Sequence, residues 1–437
     1  MASTTKDFNV AIVGGGMCGL ACAVALSRAG IDVHVFEAVS KFGEVGAAVG
    51  LGPNAIRALK GLSLFDFILK AANEPSENIR LLRYITGTGN HEHIHEKQNK
   101  GIDGVPDGKS GLGIYRPAFL AALEPLLDPC TTHFNKRCVS VSPTSSGRNA
   151  LRFADETTFE ADLVIGADGI RSTIRKAVVG EGDDRLQWTS TYAYRGLVSM
   201  EDLDTAAMKV DIGASPLNWV GNGKASLHSV HVHLITLAIK NGTVLNVAAF
   251  ISTPQGVKLA PEQPQPWVEI TPQQELLDGF QGWGDDALAV LKLMKAPSRW
   301  AIHTLYPPLK TFVSGKVVLV GDAAHSMVPH LAAGVGQGFE DVYALWRLLT
   351  HPLTTTGNLA KVLAVYDALR PSRANMILER SINAGNTWDG FGEGRYSKEE
   401  IAAKMPDLWG SVWSYDIVAN LDAEIGRMES ENFFSTS

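Results

Sequence analysis

Short apolar runs of strand length alternate with helical stretches through much of the chain. Residues 8–13 and 33–36 are such runs, and apolar residues at helical spacing between them predict a buried helix. Further buried strands are predicted at 162–166 and 316–320. Helices are expected at 54–59, 118–124, 336–349 and 357–384. This pattern is typical of an α/β sheet with helices packed on its faces.

A different pattern occupies the middle of the chain. From about Gly180 to Trp300, short alternating strands replace long helical patterns, and 230–250 predicts two strands around Lys240-Asn241-Gly242. An antiparallel sheet domain inserted in the α/β domain is therefore expected. The predicted segments are 1–75, 110–182 and 301–385 for the α/β domain, 76–109 and 183–300 for the sheet domain, and 386–437 for a C-terminal helical segment.

The first predicted strand ends at a glycine-rich turn. The motif Gly14-x-Gly16-x-x-Gly19 lies between this strand and the first helix, and Glu37 ends the second strand. Gly14 permits the tight turn, Gly16 lets backbone amides approach a pyrophosphate, and Gly19 lets the helix pack close to the strands. The helix N-terminus offers N–H groups to phosphates, and the Glu37 carboxylate can accept hydrogen bonds from ribose hydroxyls. An ordinary glycine-rich turn is the alternative, but the whole unit predicts an adenine dinucleotide site.

Composition narrows the class of protein. The 437 residues are 45% hydrophobic and 19% charged, as expected for a globular chain with two or more domains. The net charge of −7 argues against nucleic acid as a partner, and we see neither a signal peptide nor a membrane span. Four cysteines, among them Cys18 and Cys22 on the first predicted helix, suit a reduced protein. We expect a cytoplasmic protein that is a monomer or a homodimer.

Two further stretches raise the question of a ligand. Residues 41–53 are glycine-rich yet apolar, a mixture that suits a backbone pressed against a flat ligand, and Gly50 lies among them. His91, His93 and His95 would share one face of a strand, so a metal site is conceivable. Exposed hairpin polarity is the preferred interpretation because no cysteine lies nearby to complete a metal site. We therefore expect no metal.

Three separated motifs together carry a resemblance to a known family. They are the glycine motif with Glu37, the sequence Asp162-Leu163-Val164-Ile165-Gly166-Ala167-Asp168-Gly169-x-x-Ser172-x-x-Arg175, and Gly321-Asp322-Ala323-Ala324-His325 with Pro329 and Gln337-Gly338-x-Glu340-Asp341. The combination resembles the single-component FAD-dependent aromatic hydroxylases of the 4-hydroxybenzoate and salicylate hydroxylase type. Residues 41–53, 194–197 and 246–250 are most similar to the fungal salicylate hydroxylase branch. The resemblance implies an α/β fold (α+β overall), with a Rossmann-like FAD-binding domain, an inserted antiparallel substrate sheet and a C-terminal helical tail.

The resemblance also implies the chemistry of a flavoprotein monooxygenase. FAD is the expected cofactor and O2 is the expected co-substrate. NADH or NADPH is the expected reductant, and it binds transiently without a Rossmann domain dedicated to it. In such enzymes reduced flavin takes up oxygen, and the resulting hydroperoxide delivers an electrophilic oxygen to an electron-rich ring.

Several residues beyond the glycine motif are predicted to contact FAD. Asp322 can accept ribityl hydroxyls, and the backbone N–H groups of Gly334-Val335-Gly336 could face the pyrimidine edge of the flavin. By resemblance, Arg116 contacts FAD and Asp168 serves both FAD and the nicotinamide cofactor. The alternatives are a helix N-cap for Asp322, a surface ion pair for Arg116 and a helix cap for Asp168.

Arg195 is the predicted substrate-binding residue. An arginine inside an apolar strand is costly unless it is paired, and a guanidinium suits a carboxylate or phenolate. A buried ion pair between sheet and neighbouring elements is the alternative. A histidine could deprotonate a phenol, and His330, four residues before Gly334, is the main candidate. His228, His231 and His233 are the other candidates.

Three departures from the family pattern touch the substrate side. Leu331-Ala332-Ala333 stands where family members commonly have a glycine after the Pro-His segment. Leu237-Ala238 stands where fungal relatives often have Tyr-Pro, and 225–232 has the look of extra hairpin length. These departures leave the FAD assignment intact and argue against salicylate in particular.

The predicted function is hydroxylation of a phenolic or carboxylated aromatic, with the decarboxylative conversion of salicylate to catechol as one case. Hydroxylation or epoxidation of a polyketide or terpenoid on the same scaffold is the alternative that the departures favour. An NAD-dependent dehydrogenase using only the first βαβ unit would leave Asp168-Gly169 and Gly321-Asp322 unexplained. A flavin-binding protein without turnover is the fourth possibility.

Overall fold

A computed structural model describes residues 5–43, 48–72, 82–96, 112–182, 185–203, 207–225, 228–252, 266–390 and 396–434. Its helices are α1 (Met17–Arg28), α2 (Pro53–Gly61), α3 (Phe65–Ala72), α4 (Arg116–Leu123), α5 (Arg175–Val179), α6 (Gln273–Gly279), α7 (Asp285–Leu293), α8 (Asp322–His325), α9 (Gly334–Thr350), α10 (Leu359–Trp388), α11 (Lys398–Trp413) and α12 (Ile417–Ser430). Its strands are β1 (Asn9–Val13), β2 (Asp32–Phe36), β3 (Ala48–Leu51), β4 (Arg83–Thr86), β5 (His93–Glu96), β6 (Leu112–Tyr115), β7 (Thr132–His133), β8 (Cys138–Pro143), β9 (Asn149–Phe153), β10 (Thr158–Ala161), β11 (Leu163–Gly166), β12 (Leu186–Ser199), β13 (Leu217–Ala225), β14 (His228–Ile239), β15 (Val244–Ser252), β16 (Val268–Ile270), β17 (Ser298–Leu305), β18 (Val313–Ser314) and β19 (Val317–Leu319).

The predicted apolar strands form one sheet. Its order is β18-β19-β11-β1-β2-β7, and all neighbouring pairs are parallel except β18 with β19. Strand β1 lies at the centre, with Val10 opposite both Leu163 and Val33. Helices cover the sheet, and Val10, Ile12 and Leu163 are fully buried, as apolar strands of a parallel sheet require. The Rossmann-like part of the prediction is therefore confirmed.

The inserted antiparallel sheet is also present. Its order is β16-β17-β12-β15-β14-β13-β4-β5, and the hairpin of β14 and β15 turns at Lys240, Asn241 and Gly242, all with positive φ. One face of this sheet packs against α6 and α7, which the sequence pattern did not predict. Strand β4 joins by parallel pairing with β13 although more than a hundred residues separate them. The domain boundaries given above remain predictions.

Local contacts set where two of the helices begin. The N-cap of α2 is Gly52 with Pro53 at its first turn, whereas the buried Asn54 amide donates to Glu340 at 2.7 Å. Helix α5 begins only at Arg175, because the preceding residues form a turn around Asp168. Residues 138–161 form a small antiparallel sheet of β8, β9 and β10.

The three histidines at alternate positions do not share an environment. His91 is buried, with a positive φ, and its Nδ1 lies 3.0 Å from the Thr86 carbonyl, whereas His93 is exposed. Within the described ranges no group of three His, Cys, Asp or Glu side chains could hold a metal ion. All four cysteines, each in a described range, are free thiols. No described helix is long and apolar enough to cross a membrane.

The predicted helical tail is confirmed as α11 and α12. The Trp409 indole donates to the Tyr84 hydroxyl at 2.9 Å, which ties α11 to the antiparallel sheet. Trp413 packs so closely on Gly52 that a Cβ there would lie 2.6 Å from its indole nitrogen. The tail therefore shares one core with the sheet edge and with Leu331, in the loop before α9.

Candidate active site

The glycine turn after β1 is built for close approach of backbones. Gly14 has φ +107°, and a Cβ there would lie 2.4 Å from the Ala167 carbonyl oxygen. A Cβ at Gly19 would lie 2.0 Å from the Gly14 carbonyl oxygen, so α1 can pack on the turn only without a side chain. Gly16 differs, because a Cβ there would meet no protein atom within 4 Å. The open side of the turn thus lies at Gly16, where α1 begins without a side-chain cap.

Glu37 is held at the end of β2 beside this turn. One carboxylate oxygen accepts from the Gly15 amide at 2.7 Å, and the other accepts from the Val39 amide at 3.0 Å. Each oxygen can accept a further hydrogen bond. The carboxylate is therefore fixed in orientation and retains the capacity to bind hydroxyl groups.

Asp322 opens α8, but it does not cap it. The N-cap is Gly321, with φ +61°, and no side chain caps the helix. The Asp322 side chain reaches solvent, but the surrounding protein removes part of the water around its carboxyl and so raises its pKa. The positive charges of His325 and Arg116 oppose this rise. The N-cap alternative is therefore wrong, and half-buried Arg116, at the start of α4, lies in electrostatic reach of Asp322.

Asp168 forms a local cap. Its carboxylate accepts from the Ser172 hydroxyl at 2.5 Å and from the amides of Thr173 and Ile174 at 2.7 and 3.2 Å. Burial raises the pKa of Asp168, and these hydrogen bonds oppose the rise. The contacts agree with the capping alternative, and a role in cofactor binding stays a prediction.

The start of α9 brings the remaining predicted FAD residues together. A Cβ at Gly334, the first residue of α9, would lie 3.9 Å from Asp322 Oδ1. A Cβ at Gly50, on β3, would lie 3.4 Å from the Ala332 methyl group, just before α9. Helix α9 also begins without a side-chain cap, so the first N–H groups at Gly334, Val335 and Gly336 have no side-chain acceptor.

A buried ionic network supports the Asp322 turn and the first turns of α9. Arg370, on α10, donates to Asp341 and to Glu340, both at 2.8 Å, and to the backbone and side chain of Gln337 at 3.1 Å. The second Asp341 oxygen accepts from the Gly321 amide at 2.9 Å and from His325 Nε2 at 2.6 Å. The motif acids thus position the turn through hydrogen bonds.

Sequence reasoning missed both arginines of this network. Arg373, one turn after Arg370, donates to both oxygens of Glu340 at 3.1 and 3.2 Å and to the Ser411 and Val412 carbonyls in α11. The available signal was a pair of arginines three residues apart, in a predicted helix that follows an adjacent Glu-Asp pair along the sequence.

The other face of the antiparallel sheet, opposite α6 and α7, carries the predicted substrate residue. Arg195, on β12, is half-buried, and its guanidinium lies 5.0 Å from the Trp300 ring. Among the described residues no carboxylate is paired with it, and burial lowers the pKa of the guanidinium. Half-buried Ile235, Ala248 and Trp300 line the same face beside buried Phe250. We call this face, from Arg195 to Phe250, the substrate wall.

The loop before α9 lies over the substrate wall. Val328 packs into the cluster around Phe250, and the His330 ring lies 5.4 Å from the Phe250 ring. His330 is buried, and burial, reinforced by nearby His233, lowers its pKa to about 3. The structure thus brings His330 to the face that carries Arg195.

His231, His233 and two of the departures are also located on or near this wall, whereas part of the third departure, 225–232, lies outside the described residues. His233 faces His330, with ring centroids 5.0 Å apart, and His231 is buried on the same strand; the His228 side chain lies outside the described part. Ala332, in the segment that departs from the family pattern, has φ +45°, a conformation that favours glycine. Leu237 lies against β6, since a Cβ at Gly113 would be 2.7 Å from its Cδ2.

Comparison with known proteins agrees with this geometry. The sequence model of the family described as FAD binding domain matches residues 7–193 and 285–381. A salicylate hydroxylase from Pseudomonas putida is 34% identical over 99% of this chain and 98% of its own. A 6-methylsalicylate 1-monooxygenase from Aspergillus terreus is 32% identical over 92% of this chain and 89% of its own. A solved salicylate hydroxylase substrate complex superposes with a TM-score of 0.80, at 30% identity, over 95% of this chain and 98% of that one.

The residues present suit FAD. The open side of Gly16 at an uncapped helix can take the pyrophosphate, and the fixed Glu37 carboxylate can take the ribose. The accessible Asp322 carboxylate and the uncapped start of α9 at Gly334 lie together at the other end of the site. A dehydrogenase that uses only the first βαβ unit is excluded, because the family match includes the Asp322 region as well. The chain belongs to the FAD-dependent monooxygenases of the salicylate hydroxylase family.

Proposed function

We propose that this protein hydroxylates a phenol that carries a carboxylate, at the expense of NADH or NADPH and O2, with salicylate to catechol as the simplest case. The observation that carries the proposal is Arg195. Its half-buried guanidinium has no carboxylate partner among the described residues and lies on an otherwise apolar wall. A desolvated cation of this kind is costly unless an anion binds beside it.

Bound FAD supplies the activated oxygen, and this chain's residues supply binding, orientation and exclusion of water. The α1 N-terminus at Gly16 would bind the pyrophosphate, Glu37 would bind the adenosine ribose and Asp322 would bind the ribityl chain. The uncapped N–H groups at the start of α9 would hold the flavin ring, and their dipole would stabilise negative charge on it. Arg116 adds positive charge beside Asp322, which the charge coupling between the two supports.

Arg195 anchors the substrate carboxylate, and Trp300 packs beside the guanidinium and beside the substrate ring. A guanidinium that binds a carboxylate with two parallel hydrogen bonds fixes the direction of the ring as well as its position. Trp300, 5.0 Å from the guanidinium, limits its rotation and offers an aromatic edge to the substrate ring. Orientation of this kind directs oxygen transfer to one ring carbon.

His330 contacts the substrate hydroxyl. Its pKa of about 3 keeps the ring neutral at physiological pH, so one nitrogen accepts a hydrogen bond and the other donates. As an acceptor it draws the phenol proton and raises the electron density of the ring.

A larger polyketide or terpenoid substrate is the second candidate. The feature in its favour is Leu237, an aliphatic side chain packed against β6 near the substrate wall. Leucine offers no hydroxyl to a phenol, where fungal enzymes often have a tyrosine, and it leaves an apolar surface instead.

The test is oxygen uptake coupled to product formation. Purified protein in excess FAD is assayed with NADH and NADPH against salicylate, methylated salicylates and phenols without a carboxylate. Arg195→Gln is expected to raise the Michaelis constant for carboxylated phenols by about 10- to 100-fold, the value of a charged hydrogen-bonded pair. Arg299→Gln is the matched control, since Arg299 lies on the neighbouring strand, pairs with Tyr194 in register and bonds Glu275 at 2.7 Å. Unchanged affinity and coupling in Arg195→Gln would refute the anchor.

A further inference from the structure

Three buried polar side chains meet on the face of the substrate wall, beside Phe250. They come from β14 (His233), from the loop before α9 (His330) and from the residue after α10 (Asp389). His233 Nδ1 lies 3.2 Å from Asp389 Oδ1, and both side chains are 1% exposed. The His233 and His330 rings are 5.0 Å apart and inclined by 61°. We call these residues the histidine–aspartate cluster.

The cluster contains more hydrogen-bonding capacity than the described protein uses. Among the described residues, neither nitrogen of His330 has a partner, and His233 Nε2 has none. Each unpaired buried polar atom destabilises the fold, because it has given up its hydrogen bonds to water. Three such atoms on two facing rings indicate that another group forms hydrogen bonds with them during the reaction. The Gly385 backbone of α10 lies close behind His330, as a Cβ there would be 2.5 Å from its ring.

The two histidines differ in their surroundings. Burial first, and then His233, lower the pKa of His330 to about 3, so a proton does not stay on this ring. His233 instead has a carboxylate at hydrogen-bonding distance, because its Nδ1 lies 3.2 Å from Asp389 Oδ1. Burial alone would raise the pKa of Asp389, but the hydrogen bond and charge of His233 hold it below the ordinary value. The charged and titratable groups that act on His330 are His233 and Asp389, and those that act on Asp389 are His233 and His330.

We propose that the proton of the bound phenol ends on His233, stabilised there by Asp389, with His330 as the ring through which it passes. The phenol O–H bond breaks as its proton binds one nitrogen of neutral His330. The proton on the other nitrogen of His330 then moves to His233 Nε2 through one water. Phenolate, imidazolium and carboxylate result, and no electrons are exchanged. His330 is the residue that touches the substrate, whereas His233 and Asp389 act through it.

This inference rests on the proposed function, since it requires a phenol beside His330. A purely structural role is the competing explanation, in which the His233–Asp389 pair only fastens the end of α10 to the sheet. The two explanations differ in one respect. A structural role predicts changes in stability or overall affinity, and the proton role predicts a change in the ionisation of the bound phenol.

The test measures the apparent pKa of 5-nitrosalicylate bound to the FAD-loaded protein. Its phenolate is followed by difference spectra against ligand-free protein across a pH series. In the wild type the bound phenol is expected to ionise at lower pH than free ligand. Asp389→Asn and His233→Gln should raise the apparent pKa of the bound phenol by about one unit, a tenfold loss of ionisation. Asp389→Glu restores the charge and should retain the wild-type value.

His303→Gln is the matched control, because His303 is a buried histidine of β17 whose Nδ1 lies 2.9 Å from the Ala301 carbonyl. It should leave the bound phenol unchanged. If Asp389→Asn does not fold, His233→Gln compared with the control gives the same answer. Equal apparent pKa values in wild type, His233→Gln and Asp389→Asn would overturn the proton role and leave the proposed function standing. Failure of the wild type to bind the probe would overturn the proposed function and this inference together.

Discussion

Arg370 joins the two acids that follow the glycine-rich start of α9. It is fully buried and donates four hydrogen bonds, two of them to the carboxylates of Asp341 and Glu340. Asp341 in turn accepts from the amide of Gly321, the residue before Asp322. Arg370→Met is therefore predicted to destabilise the fold and to loosen the turn that carries Asp322.

The size of the loss follows from what remains after the substitution. Methionine fills much of the volume but leaves two acids in a dry interior. Glu340 keeps the hydrogen bonds of Arg373, and Asp341 keeps those of His325 and Gly321, so neither becomes fully unpaired. Removing one partner of a buried ion pair costs about 3–5 kcal/mol. The remaining donors keep the expected loss within this range instead of doubling it.

The assay is urea unfolding at pH 7.5 in a constant excess of FAD, because bound ligand shifts the midpoint. Arg427→Met is the control, since Arg427 bonds Glu424 and Glu431 on the exposed side of α12, where ion pairs contribute little. Its midpoint should match the wild type. A loss for Arg370→Met no larger than that of the control would refute the reasoning.

The same variant carries a pH signature. Burial would raise the pKa of Asp341, but His325 and Arg370 hold it below the ordinary value in the fold. Its stabilising contribution is thus present above the unfolded pKa of about 3.9 and is lost as the pH falls through the lower folded pKa. Without Arg370 the folded pKa rises, and the acid can bind a proton at mildly acidic pH. The difference in unfolding free energy between variant and wild type should therefore be smaller at pH 5 than at pH 7.5.

Two further predictions concern backbone conformation. Gly19→Ala places a Cβ 2.0 Å from the Gly14 carbonyl oxygen and should abolish FAD retention together with folding. The Cβ of Gly16→Ala meets no protein atom, so this variant should keep the circular dichroism spectrum but bind FAD more weakly in a fluorescence titration. An FAD affinity of Gly16→Ala equal to that of the wild type would contradict the pyrophosphate assignment. Ala332→Gly removes an alanine from the left-handed conformation and should raise the free energy of unfolding by about 1 kcal/mol, measured by thermal unfolding. The control Ala333→Gly, at φ −100°, should give no gain. A lower unfolding midpoint for Ala332→Gly than for the wild type would count against backbone strain at Ala332.

The parts of the fold that sequence predicted are those encoded by neighbouring residues. Apolar run, glycine turn and helix follow each other directly in β1 and α1, and the hairpin at Lys240-Asn241-Gly242 needs left-handed residues in sequence. Helices α6 and α7 were missed because they are short and lie among prolines and glycines. The prediction that Gly14, Gly16, Gly19 and Glu37 bind FAD rests on the same kind of local spacing, and it stays a prediction.

The rest of the site depends on pairs that no local pattern records. His233 and Asp389 are separated by 156 positions, and Asp341 and Arg370 by 29, so only the packing of α10 against α9 and the sheet brings them together. The sequence offered a histidine on a strand and an aspartate after a helix, and each suits many roles. Their function arises from burial and from the partner, which are properties of the folded chain.

The tail explains how the loop that carries His330 can contain a left-handed alanine. A residue in this conformation persists only where its surroundings determine the backbone on both sides. Leu331 and Ala333, on either side of Ala332, are buried in the core that Trp409 and Trp413 of α11 share. Packing therefore fixes the loop from outside, while the exposed Ala332 faces β3 at Gly50. A tail that appears distant from the chemistry in sequence thus sets the position of His330 over the substrate wall.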